Sequence, residues 1–167
     1  MSQTEATDPF AFSREVNAKL SASNERWNEF ELWSRRNLSH LHKLLSGLEL
    51  LITPEDILHV TTTLKPAEPA DNSTYEVIIV TNRHIVRAVR KTAQAFPSIK
   101  VVRRSAVLSV EVVSAPVTTS PAFDRWAVAQ DPLTVRLEYP AFTVDLVAYG
   151  EDELNGLMPA IIADLGA

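Results

Sequence analysis

From Ile57 onward the chain is written in short runs of β-branched and other apolar residues separated by turn formers, and this pattern limits the possible folds more than any other feature. The runs are Ile57 to Leu64, Tyr75 to Thr81, His84 to Val89, Ile99 to Arg104, Val107 to Val113, Leu133 to Tyr139 and Phe142 to Ala148. Each is long enough for a strand and too short for a typical helix. In the sixth, Leu133, Val135, Leu137 and Tyr139 alternate with Thr134, Arg136 and Glu138, so one face is expected to be buried and the other wet. Tyr139-Pro140-Ala141 predicts a hairpin turn. The stretches 66–72 and 116–132, rich in Pro, Ala, Ser, Thr and Asp, read as loops, with Trp126 to Val128 able to lend a strand to the second.

Ahead of Ile57 the spacing is helical. Asp8-Pro9 offers a cap and a first-turn proline, and Val16, Leu20, Ser23, Trp27 and Phe30 follow at intervals of four and three. The stripe continues through Leu38, Leu41, Leu45, Leu48 and Ile52, with a change of phase between Trp33 and Asn37. Residues 1–52 are therefore expected to form a long helix or a helical hairpin. Thr53-Pro54-Glu55-Asp56 repeats the start signal and predicts a short turn leading directly into the first strand. At the other end, Gly150-Glu-Asp-Glu and the set Leu154, Leu157, Met158, Ile161, Ile162 and Leu165 predict a final helix, which Pro159 should bend. The fold class is α+β: a helical segment, then a strand-rich unit over 53–167 with a C-terminal helix.

At 167 residues the chain suits one domain carrying an extra helical element, and a hydrophobic fraction of 46% sets disorder aside. The absence of Cys excludes disulfides, thiolate metal sites and cysteine nucleophiles, and suits a reducing compartment, so a cytoplasmic location is expected. Met1 to Asp8 is polar and acidic where an export signal needs a basic start and an apolar run. No apolar run approaches a bilayer span. A net charge of −5 argues against nonspecific nucleic-acid binding.

Seven strands followed by one helix is also the order of a pleckstrin-homology (PH) barrel. Glu55-Asp-Ile-Leu-His-Val, then a loop, then Val77-Ile-Ile-Val-Thr-Asn-Arg-His-Ile-Val resembles the bacterial PH-like domains, where a similar first strand precedes an apolar strand, a Thr-Asx-Arg-Arg turn and an apolar third strand. Asn82 stands where the family usually has Asp, and His84 where it has a second Arg; both keep turn chemistry. Ser105 to Val110 resembles the family's polar entry into a strand. The likeness spans roughly 53–167 and implies a seven-stranded antiparallel barrel or sandwich closed by the C-terminal helix. The long loop at 116–132 and a last helix containing Gly156 and Pro159 depart from it.

No residue nominates itself as catalytic. There is no Gly-x-Ser-x-Gly, P-loop, dinucleotide or His-Glu-x-x-His motif, and four glycines leave little for a phosphate cradle, so neither enzyme nor cofactor is expected. His40 and His42, two apart on a helix, point away from each other, and His59 and His84 lack a carboxylate motif, so no metal site is expected. The unusual feature is charge segregation: no acid lies between Glu76 and Glu111, whereas Arg83, Arg87, Arg90, Lys91, Lys100, Arg103 and Arg104 do. Strand parity puts Lys100 and Arg104 on one face and Arg103 on the other. Arg83, Arg87, Arg90, Lys91, Lys100 and Arg104 are thus candidates for docking an anionic headgroup, a phosphorylated ligand or an acidic segment, a use that PH-like folds resemble; the same charges also serve to protect an edge strand.

Trp27, Phe30, Trp33 and Leu41 on the N-terminal helix are candidates for a protein interface, giving a homo-oligomer or a complex with a partner, unless the helix packs on its own sheet. Two functions follow. One is a PH-like binding or adaptor module acting on a protein or an anionic lipid surface. The other is a small acidic chaperone holding extended polypeptide along a sheet edge.

Overall fold

The computed structural model describes residues 11–23, 38–65, 74–91, 94, 96–115, 132–148, 154 and 156–165, apart from the side chains of residues 23, 38–42 and 64. Two helices come first, α1 (Ala11–Ser23) and α2 (Leu38–Glu49), and they pack on each other. A 3-10 turn at Pro54–Asp56 follows, held by the Thr53 hydroxyl donating to Asp56 Oδ2 at 2.7 Å and the Asp56 N–H donating to Thr53 O at 3.1 Å. The chain then enters β1 (Ile57–Lys65) with no intervening loop, as the sequence predicts.

β1, β2 (Thr74–Thr81), β3 (His84–Lys91) and β4 (Ser98–Arg103) form an antiparallel meander in sequence order. β5 (Ser109–Ser114), β6 (Leu133–Tyr139) and β7 (Phe142–Ala148) form a second, three-stranded meander. Tyr139 pairs with Phe142 across the Pro140-Ala141 turn, and their rings lie 5.8 Å apart. No strand ladder joins the two sheets among the described residues. At one seam they are bridged by a side chain: the Val147 N–H donates to Thr61 Oγ1 at 3.0 Å, and Val147 O lies 3.4 Å from the same hydroxyl. His59 Nε2 sits 3.0 Å from Thr61 Oγ1, and burial pulls the His59 pKa down from 6.5 to about 4 against a raising contact with the Val147 backbone.

Two cores result. Between the sheets lie Ile78, Val80, Ile85, Val107, Val135, Leu137, Tyr139, Val144 and Leu146. On the opposite face of the four-stranded sheet, Val60, Val77, Ile79, Val86 and Ala88 meet Val16, Leu20, Leu44, Leu45 and Leu48 of the helices. The molecule is therefore three layers deep at the four-stranded sheet. Gly47 permits a close approach there, since a Cβ would lie 2.5 Å from Ile99 Cδ1 on β4.

The predicted helix start at 150–153 lies outside the described residues; Leu154, Gly156 and Leu157 are in turns, and in the last helix, α3 (Met158–Asp164), Pro159 stands in the first turn instead of bending the helix. A first-turn proline gives up no helical hydrogen bond, so nothing is kinked. Leu154, Leu157 and Ile161 insert into the core between the sheets. No helix among the described residues is long and apolar enough to cross a membrane.

Candidate functional site

The site begins with the β2–β3 turn. Thr81 organises it: its Oγ1 accepts the N–H of His84 at 2.8 Å and of Arg83 at 3.3 Å, and its hydroxyl donates to His84 O at 3.0 Å. A threonine hydroxyl closing on the backbone two and three residues ahead is a local turn device, and it leaves Asn82 and Arg83 exposed at the tip. The end of β4 is tied to this tip by the Arg104 N–H donating to Arg83 O at 2.8 Å. Beyond β4 the chain makes a 3-10 turn over Arg104–Ala106 instead of continuing as strand.

That turn has a consequence for charge. Strand parity separates Arg103 from Arg104, but parity holds only while the chain stays extended, and here it ends at Arg103. Arg103 and Arg104 instead converge with Arg83 and His84 on one open cleft of about 450 Å³, completed by Asn82, Ser105 and Asp164. Arg104 Nε donates to Asp164 Oδ2 at 2.6 Å, with both side chains largely buried, which moors the last turn of α3 to the cleft floor. Tyr139 braces the same floor, its hydroxyl 3.4 Å from Arg104 O. Burial pushes the pKa of that hydroxyl up; the Asp164 charge acts in the same sense and Arg104 in the opposite one. Among the described residues three guanidiniums thus face one carboxylate, and that carboxylate is already engaged. Arg83 and Arg103 are exposed and make no salt bridge among the described residues.

The other nominated basic residues do not join this cleft. Arg87 points between the sheets, paired with Glu76 and with its guanidinium 5.8 Å from the centre of the Phe142 ring. Lys100 stands opposite Arg87 on the same face and is exposed. Arg90 is buried on the helix side of β3, opposite Tyr75, and burial lowers its pKa. Lys91 is exposed at the far end of β3, seven residues from His84 and so about 23 Å away along an extended strand. The basic window is divided among two faces and two ends of the sheet. Of the interface candidates, Trp27, Phe30 and Trp33 lie outside the described residues, and Leu41 is on α2 with its side chain outside them.

Sequence reasoning missed Arg103, His84, Asn82, Ser105 and Asp164 as a group. The available signal was the Thr81-Asn82-Arg83-His84 turn itself; the contribution of Asp164, 60 residues beyond Arg104, had none. Among the described residues no cluster of three or more His, Asp or Glu could hold a metal ion. Chemically, the cleft offers guanidinium forks that match the planar or tetrahedral oxygens of carboxylates, sulfates and phosphates. No family model, curated protein or solved structure matches the chain.

Proposed function

We propose that this chain is a non-enzymatic, PH-like binding or adaptor module that docks an anionic group, borne by a ligand or partner, in the cleft between the β2–β3 turn and the 3-10 turn after β4. What supports the PH-like reading is the order of the elements: a four-stranded and a three-stranded meander face to face, bridged at the β1–β7 seam through Thr61, with α3 inserted between them. The observation that carries the docking reading is the pair Arg83 and Arg103, which make no salt bridge among the described residues, on a cleft whose single described acid, Asp164, is already bound to Arg104. Exposed cations without a partner are inexpensive to maintain in water and gain most when an oxyanion arrives.

Calorimetric titration of the full chain with inorganic phosphate at low ionic strength tests the reading. Saturable binding that Arg83→Ala/Arg103→Ala weakens by roughly tenfold or more supports it. Lys91→Ala, remote from the cleft, is expected to leave binding unchanged. Binding that is absent, or indifferent to the double substitution, refutes it.

Self-association through the N-terminal segment belongs to the same proposal and rests on Trp27, Phe30 and Trp33, because Val16 and Leu20 of α1 and Leu44, Leu45 and Leu48 of α2 are buried against the sheet. Light scattering coupled to size exclusion tests it: a dimer that Trp27→Ala/Trp33→Ala dissociates supports it, and a monomeric parent removes it. One observation favours the second reading, a chaperone-like hold on extended polypeptide: among the described residues β5 is an edge strand of its sheet and exposes Val112 and Val113. Capture of an unfolded polypeptide that ignores both phosphate and the Arg83/Arg103 substitutions would select it.

A further inference from the structure

We infer that the cleft is a proton-linked site for a tetrahedral divalent oxyanion of the phosphate-monoester class, with His84 as its third cationic arm. This rests on the docking role proposed above and adds to it a ligand class and a means of regulation.

The backbone of His84 is fixed by the side chain of Thr81. Its N–H and its carbonyl both bond the Thr81 hydroxyl, so the backbone beneath the imidazole is pinned on both sides. It stands directly opposite Arg103 in the β3–β4 ladder and follows Arg83 in the chain, so His84, itself half-buried, lies between these two residues and lines the cleft with them. The charged groups lining the cleft with it are Arg83 on the turn, Arg103 on β4, Arg104 on the 3-10 turn and Asp164 on α3. The last two are engaged with each other, so an incoming anion meets Arg83, Arg103 and His84.

A carboxylate has two oxygens and one charge, which two guanidiniums satisfy. A phosphate monoester presents three terminal oxygens and close to two negative charges, and it leaves one oxygen for a third donor. A volume of about 450 Å³ is more than an inorganic oxyanion fills, so the cleft has room for the group that carries it. Histidine changes its charge between about pH 5 and pH 8, and a dianion held beside it favours the charged imidazole. Binding of a dianion whose own charge stays constant therefore takes up a proton, and its affinity rises as pH falls through that range; a phosphate monoester also takes up a proton itself near pH 6.

Sulfate separates this linkage from the titration of the ligand, because it remains divalent throughout. In calorimetric titrations of the full chain at about pH 5.5 and about pH 7.5, sulfate is expected to bind roughly fivefold more tightly at the lower pH. His84→Gln is expected to show the weaker affinity at both pH values and His84→Lys the tighter one at both, with circular dichroism checking that each variant folds. Saturable sulfate binding with no pH dependence, or a pH dependence that survives in both variants, overturns the linkage while leaving the anion site standing. No sulfate binding at either pH overturns both. Glycerol phosphate in solution and vesicles bearing phosphatidic acid then distinguish a free phosphate monoester from a lipid headgroup: binding of either, lost in Arg83→Ala/Arg103→Ala, supports the ligand class and names its source, and binding of neither overturns it.

Discussion

The two sheets are built by the same meander, yet their sequences differ in kind. The central strand β2 of the four-stranded sheet carries an unbroken apolar run, Val77-Ile78-Ile79-Val80, all buried. The central strand β6 of the three-stranded sheet alternates, with Val135, Leu137 and Tyr139 buried and Arg136 on the opposite face in contact with Asp145 and Glu111. The difference records what lies behind each sheet. β2 has a core on both faces, one between the sheets and one under α1 and α2, whereas the outer face of β6 meets water. The helices are thus a third layer, and Val16, Leu20, Leu44, Leu45 and Leu48 on them are not an open surface.

The comparison is broken most severely by removing that layer. A chain beginning at Thr53 uncovers Val60, Val77, Ile79, Val86 and Ala88 together. It is expected to aggregate or to lose cooperative unfolding, read by size exclusion and thermal circular dichroism; a soluble monomer with a sharp transition would show that the helices are dispensable. A graded version contrasts single positions in urea. Ile79→Ala, fully buried beneath the helices, should cost about 4 kcal/mol, whereas Thr143→Ala, exposed on β7, should cost less than about 0.5 kcal/mol.

The seam between the sheets adds a pH effect. His59 is neutral in the folded protein down to about pH 4, whereas in the unfolded chain it titrates near 6.5. Between these values the unfolded chain binds the proton that the folded chain refuses, so stability falls as pH falls through the window and levels off below it. The loss should approach about 3 kcal/mol, and His59→Gln should flatten it in denaturation curves taken across that range. The smallest effect belongs to the outer face of β6. Arg136→Ala is expected to move the unfolding midpoint by less than about 3 °C, because an exposed ion-pair network is screened by water and salt.

What was legible in the sequence was local. The turn at Thr53 to Asp56, the alternation in Leu133 to Tyr139 and the Pro140-Ala141 hairpin all follow from contacts or patterns within a few residues, whereas the burial of Val77 to Val80 on both faces depends on the distant helices and the second sheet. What was not legible depends on one-residue geometry or on distant partners. A single 3-10 turn after Arg103 overturns the parity that sets Arg103 and Arg104 apart. Asp164 reaches Arg104 across 60 positions and Thr61 reaches Val147 across 86, and neither residue type announces such a partner. The basic window of the sequence was real as composition, but a strand distributes successive side chains to opposite faces, and the long β3 carries Lys91 away from the cleft. The site was half visible: Arg83 and Arg104 were nominated, while Arg103 and His84, which complete it, were not.

The most direct test of the central claim is a residue-resolved NMR titration of the full chain with inorganic phosphate. Saturable shifts confined to the amides of Asn82, Arg83, His84, Arg103, Arg104 and Ser105 are the predicted result. Shifts centred instead on Arg87 and Lys100, or no saturable shift at all, would contradict it.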